Sequence, residues 1–138
     1  MIAIKTAGLL VFIISLDDFS NESKRKIFFY GINENELCIV SKVKDISDEF
    51  RVVINESDIL SMCKYDKGAD KYTTINVNDE KDVSNFVYDV FKNVKWKPEH
   101  LFVMDVCKSN NEFKIVELNT FSASDLYECD VNLILKKL

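Results

Sequence analysis

The stretch of this chain that leaves it the fewest ways to fold is VMDVCKSNNEFKIVELNT, from Val103 to Thr120. Two apolar runs flank the polar segment KSNNE, the pattern of two strands joined by a short turn. Each run carries a carboxylate where an apolar residue would pack at lower cost: Asp105 in the first, Glu117 in the second, with Asn119 two residues later. Residues two apart on a strand share a face, so Glu117 and Asn119 look the same way. If the turn pairs the strands, Asp105 faces Glu117, and two bare carboxylates repel there at neutral pH. A divalent cation would remove that penalty. Two carboxylates and an amide oxygen, with water or phosphate completing the shell, suit Mg2+. Hydrogen-bonded edge residues or the ends of exposed salt bridges are the competing account of the same side chains, and Arg51 in EFRVVI could simply pair with Glu49 or a cross-strand acid.

The rest of the chain reads as sheet, helix, hairpin, helix. LLVFIIS and KRKIFFYGI have the β-branched and aromatic content of strands, NENE turns into a third strand, ELCIVSKV, and EFRVVI pairs through Asn55 to Ser57 with DILSMCKY. DKGADKYTTINVND reads as a polar loop, with Asp79 to Asp82 able to cap a helix. In VSNFVYDVFKNV the residues Val83, Phe86, Val87, Val90 and Phe91 recur at three and four residues, giving one apolar helical face that Pro98 follows and ends. SASDLYECDVNLILKKL is expected to close the chain as a helix with a stripe of Leu126, Val131, Leu133 and Leu135. The fold class is α+β, with two main helices and a mostly antiparallel sheet.

At 138 residues, 47% of them apolar, with three glycines and one proline, the chain is expected to form a single domain over residues 1–138 with a sizeable core. A net charge of −5 argues against a partner held by its phosphate backbone, although Lys24 to Lys26 and Lys92 to Lys97 keep a local anion site open. Four widely spaced cysteines and a lone His100 do not make a zinc site, and reduced, buried thiols of a cytoplasmic protein are the expectation. Lys5 followed by AGLLVFIIS has the order of a short signal peptide. It lacks a small-x-small cleavage site and is too short to span a bilayer as a helix, so a buried strand is preferred and no membrane partner is expected.

DVCKSNNEFKIVELNTFSASDLYECD resembles the C-terminal metal-binding hairpin of ATP-grasp proteins, in particular a group known from bacterial and phage genomes. Asp105, Glu117, Asn119, Ser124, Leu126, Tyr127, Cys129 and Asp130 fall on that pattern. EFRVVINESDILSMCKY is similar to the family's E-x-R strand and hairpin through Glu49, Arg51 and Tyr65, and KRKIFFYG to its lysine-bearing strand over the phosphates. Asp125 stands where the family commonly has glycine, and Ser41 and Lys42 where it has an acidic hinge residue.

The resemblance implies an ATP-grasp C-terminal lobe behind a truncated first lobe, with no separate N-terminal substrate domain. It implies ATP and Mg2+ as cofactors and ligation of a carboxylate to an amine or thiol through an acyl-phosphate. Asp105, Glu117 and Asn119 would hold the metal, Arg51 would contact the transferred phosphoryl group with Glu49 orienting it, and Lys24 or Lys26 would cover the other phosphates. The acceptor substrate is not legible, and a second chain or a homodimer supplying the missing lobe stays open. Two other classes also stay open. One is a non-catalytic interaction module derived from the same fold. The other is a metal-dependent nuclease built on Asp105 and Glu117, with Asn119 where that core places lysine.

Overall fold

The computed structural model describes residues 2–6, 11–14, 38–42, 44–66 and 69–138, with side chains from Lys42 onward. The chain divides into two compact units, Met1–Lys44 and Asp45–Leu138. In the first, β1 (Ile2–Thr6) lies between β2 (Val11–Ile14) and β3 (Cys38–Lys42), antiparallel to both. The reading of LLVFIIS as a strand is met at β2, whereas β1 is a strand that the sequence reading does not contain. The expected strand KRKIFFYGI, with Lys24 and Lys26, lies outside the described residues.

The second unit carries a five-stranded antiparallel sheet in the order β6-β5-β4-β7-β8. Its strands are β4 (Asp48–Asn55), β5 (Asp58–Asp66), β6 (Lys71–Thr74), β7 (Leu101–Ser109) and β8 (Glu112–Thr120). The hairpin from β7 to β8 closes through Asn110 and Asn111, both at positive φ, which asparagine tolerates and which matches the twist of the flanking strands. One extra residue, Val116, bulges out of β8, because Asp105 pairs with Glu117 while Val106 pairs with Ile115.

Alternation along the strands divides the sheet into two unlike faces. Phe50, Val52 and Ile54 on β4, Met62 on β5, and Phe102, Met104 and Val106 on β7 form one core with Val83 and Val87 of α1 (Val77–Asn93). This helix is the expected amphipathic one, but its cap is Asn76, not a residue of the Asp79 to Asp82 run. The Asn76 side chain accepts from the backbone N–H groups of Asn78 and Asp79, so the helix starts ahead of the acidic run, whose charges then complement its N-terminal dipole. The helix ends at Asn93, well before Pro98.

The opposite face is covered by the C-terminal segment. Val53, Leu60, Cys63 and Val103 pack there with Cys129 and with Ile134 of α2 (Val131–Lys137). The long final helix expected from the sequence is therefore mostly not helical. Phe121–Ala123 makes a 3-10 turn, the chain then turns again at Tyr127 and Glu128, where the Cys129 N–H donates to the Leu126 carbonyl, and α2 begins only after the Asp130 cap. Asp130 N–H donates to Ser61 Oγ at 2.8 Å, and Lys137 Nζ donates to the carbonyls of Ile59 and Leu60. These anchors turn Ile134 inward and leave the expected stripe residues Val131, Leu133 and Leu135 exposed. The segment read as a polar loop contains β6, whose Tyr72 pairs with Tyr65.

Candidate nucleotide and metal site

The face under the C-terminal segment holds the buried polar residues of the sheet, Arg51, Ser61 and Asp105. Arg51 on β4 sits opposite Asp105 on β7, and Asp105 opposite Glu117 on β8, so the three follow one another across adjacent strands. Asn119 continues the row and donates through Nδ2 to Glu117 Oε1 at 2.8 Å. The hairpin register expected from the sequence is the one observed.

Arg51 takes the cross-strand acid that the sequence allowed as its partner, and that acid is Asp105. Its guanidinium donates from Nε to Asp105 Oδ1 at 2.9 Å and from Nη2 to Asp105 Oδ2 at 2.8 Å. Nη1 donates to the Asp125 carbonyl at 2.7 Å. Arg51 is 7% exposed and Asp105 4%, so this is a buried, two-pronged ion pair with a third bond tying it to the C-terminal segment. The positive charge that relieves Asp105 is thus supplied from within the sheet. Burial works against the Arg51 cation, but the hydrogen bond and charge of Asp105 outweigh it and raise its pKa. For Asp105 the balance tips the other way. Burial raises its pKa above the usual carboxylate range, the Glu117 carboxyl adds to that, and Arg51 offsets them only in part.

An aromatic wall stands beside the ion pair. Tyr72 of β6 and Tyr127 stack with centroids 3.9 Å apart and planes 9° from parallel, and Tyr65 leans on Tyr72 at 5.2 Å. The Arg51 guanidinium carbon lies 4.6 Å from the Tyr127 centroid and 5.7 Å from that of Tyr72. Tyr127 holds φ at 47°, a left-handed conformation that is unfavourable for a bulky side chain. Burial raises the Tyr72 pKa, so its hydroxyl stays neutral. Neither tyrosine was given this place by the sequence, because Tyr72 fell in an apparent loop and Tyr127 read as helix packing. Below them Cys129 Sγ and Cys63 Sγ are 3.4 Å apart, and Cys63, Cys107 and Cys129 are free and buried, in line with the expected reduced thiols.

Glu49 shares the Arg51 face of β4, with Tyr65 and Cys107 as its strand partners. Lys24 and Lys26 fall outside the described residues. Among the described residues no three acidic, histidine or cysteine side chains gather as a metal cage, and no helix is long and apolar enough to cross a membrane. The grouped oxygen donors are two carboxylates and one amide, a hard set that fits Mg2+ better than a thiophilic ion.

A family of ATP-grasp domains, the second family of its clade, matches residues 16–137. Among solved structures, D-alanine–D-alanine ligase from Bacillus anthracis, complexed with ATP, is similar at a TM-score of 0.60 and 14% identity, over 86% of this chain and 39% of that one. The ATP-grasp ligase PsnB, complexed with a phosphomimetic variant of its minimal precursor, Mg and ADP, is similar at 0.58 and 11% identity, over 99% of this chain and 46% of that one. The chain therefore spans less than half the length of these two structures, and at such identities the likeness is one of fold. No curated protein matches the chain.

Proposed function

The chain belongs to the ATP-grasp domain family, and from that premise we propose that it binds ATP with Mg2+ and uses it in ligase-type joining of a carboxylate to an amine or thiol. The observation that carries this reading is the row Arg51, Asp105, Glu117, Asn119 on one face of adjacent strands.

In this reading Asp105, Glu117 and Asn119 hold the cation. When bound, Mg2+ neutralises the charge that builds up on phosphate oxygens as a phosphoryl group moves. The protein's own part is placement. Arg51, fixed on both prongs by Asp105 and on the third nitrogen by Asp125, keeps a positive charge at a set point beside the carboxylate row. Glu49, two residues back along the same strand face, completes the acidic border from which Arg51 is oriented. Lys24 and Lys26 are assigned to the remaining phosphates. The C-terminal segment with Tyr127, together with Tyr72 of β6, shields the ion pair from water, which strengthens every charge interaction beneath them.

A second reading has one observation in its favour. Three of the five Arg51 N–H groups, one on each nitrogen, donate to groups of the protein, which is the bonding of a structural ion pair, and a non-catalytic nucleotide-binding module asks nothing more of it. Titration calorimetry with a non-hydrolysable ATP analogue, with and without Mg2+, tests the proposal. Binding that needs Mg2+ and is lost in Asp105→Asn supports it. No heat and no rise in melting temperature at millimolar ligand would end both readings, because any ligand that binds the folded state alone must stabilise it. Binding without ATP consumption in the presence of carboxylate and amine acceptors would select the second.

A further inference from the structure

We propose that β8 is a homodimer interface, in which two copies pair antiparallel along this strand about a two-fold axis and each brings Lys114 to the Glu117 of the other. The inference does not depend on ATP chemistry. Among the described residues β8 is an outer strand with β7 as its strand neighbour, and it is nine residues long. An edge of that length offers a row of backbone donors and acceptors to another chain.

The sequence of β8 is complementary to itself. Pairing centred between Ile115 and Val116 sets Ile115 against Val116, Lys114 against Glu117, Phe113 against Leu118, and Glu112 against Asn119. Every pair therefore joins apolar to apolar, opposite charges, or a carboxylate to an amide. Because the arrangement is two-fold, each pair occurs twice.

The bulge is what makes this pairing permissible. A two-fold axis perpendicular to a sheet keeps each side chain on its own face, so paired residues must lie on the same face. Lys114 and Glu117, three apart, would lie on opposite faces of a regular strand. In this strand the extra Val116 shifts the alternation, so Lys114 (paired with Cys107) and Glu117 (paired with Asp105) share one face, and Phe113 (paired with Lys108) and Leu118 (paired with Met104) share the other. Bulges often blunt an edge against association. Placed at the centre of a palindromic strand, this one brings its two halves into phase.

Exposure points to the same surface. Ile115 is 40% and Val116 44% exposed at the centre of the strand, and Trp96, in the connection that follows α1, is 68% exposed. Val94, Trp96, Ile115 and Leu118 line one shallow apolar groove of about 50 Å3 along the helix side of this edge. Lys114 now holds Glu112 of its own strand at 2.7 Å, an exposed pair that it can give up at little cost.

Sedimentation velocity of the full chain over a concentration series, without nucleotide, tests the proposal. The protein is expected to dimerise reversibly. Lys114→Glu or Glu117→Lys alone should raise the dissociation constant about tenfold or more, since each reversal sets like charges together at two symmetric places. The double change Lys114→Glu with Glu117→Lys restores opposite charges and should return the constant to within about threefold of the parent. Val116→Lys, which leaves the carboxylate row in place, should disperse the dimer by setting two ammonium groups at the axis, with circular dichroism showing that the fold persists. A monomer at every concentration, a dimer indifferent to the single reversals, or a double variant as weak as the single ones would each overturn the proposal. Sedimentation without nucleotide reads association alone, and because Glu117→Lys also removes a carboxylate assigned to the cation, Lys114→Glu and Val116→Lys are the variants that keep this test separate from that of ATP binding.

Discussion

The two faces of the five-stranded sheet are built from alternate residues of the same strands and do different work. On the α1 side, Phe50, Val52, Ile54, Met62, Phe102, Met104 and Val106 meet Val83 and Val87 with no charged side chain among them. On the other side, the next residue along β4 is Arg51 and along β7 is Asp105, both buried, and the cover is a mostly irregular segment held by a few specific bonds. A shift of one residue in register would exchange these faces, so the apolar side fixes where the ionic row must lie. The apolar face supplies stability by area, whereas the ionic face supplies position, and the two should fail in different ways.

The largest effects test that difference directly. Arg51→Ala leaves Asp105 buried without its cation and should cost about 3–5 kcal/mol in urea unfolding, and Phe102→Ala, which opens a cavity under α1, should cost about as much. Only the first should also abolish the Mg2+-dependent nucleotide response. Replacing the pair together, Arg51→Met with Asp105→Leu, should recover most of the stability and none of the nucleotide response, since apolar residues of similar volume can match a buried ion pair. If Phe102→Ala also removes the response, the division of labour between the faces is wrong.

A smaller effect belongs to the α1 side. Asn76→Ala removes the cap that holds the Asn78 and Asp79 amides and should cost about 0.5–2 kcal/mol by thermal or urea unfolding, with nucleotide binding unchanged.

Acid titration gives a smaller effect still. Burial raises the Asp79 pKa, but hydrogen bonds from Lys64 and Asn76 more than offset it, so the folded value lies below the ordinary one. The unfolded chain then takes up this proton first. The contribution of Asp79 is present above the unfolded pKa of about 3.9 and is lost as pH falls through the folded value. The parent should therefore exceed Asp79→Asn in urea midpoint at pH 7 and lose that lead in acid. An equal gap at both pH values would detach the helix start from the Lys64 bridge.

The same contrast explains what the sequence made legible. The β4, β7 and β8 strands and the α1 helix were readable because period-two and three-to-four-residue patterns and the two turn asparagines are local signals. The carboxylate row was readable because Asp105 and Glu117 are connected by one short turn. Arg51 is 54 residues from Asp105, and no local pattern announces such a partner, so a cross-strand acid could be allowed for it but not named. The stretch from Ser122 to Cys129 read as helix because its apolar spacing allows one. Its backbone groups instead engage the sheet through Asp125 and, at Asp130, through Ser61. β6 was missed because KYTT is short and edged by polar residues.

The finest test of the ionic face is Glu117→Gln, which keeps size and an acceptor oxygen and removes one charge. Gln at this position can still accept the Asn119 amide bond, so little of the local hydrogen bonding is lost. Glu117 raises the Asp105 pKa in the folded protein, so neutralising it lets Asp105 ionise more readily beside Arg51. The metal-free variant should therefore melt within about 0.5 kcal/mol of the parent, or slightly above it. With one negative charge fewer for the cation, the Mg2+-dependent rise in melting temperature with the ATP analogue should fall or vanish. A Glu117 that serves only the fold would reverse this pattern. Loss of a charge-assisted bond would cost about 1.5–3 kcal/mol with or without Mg2+, and the rise produced by nucleotide would be unchanged. Paired melting curves with and without Mg2+ separate the two outcomes. A large loss in the metal-free variant would turn the second face into a second structural core, and the contrast between the faces would disappear.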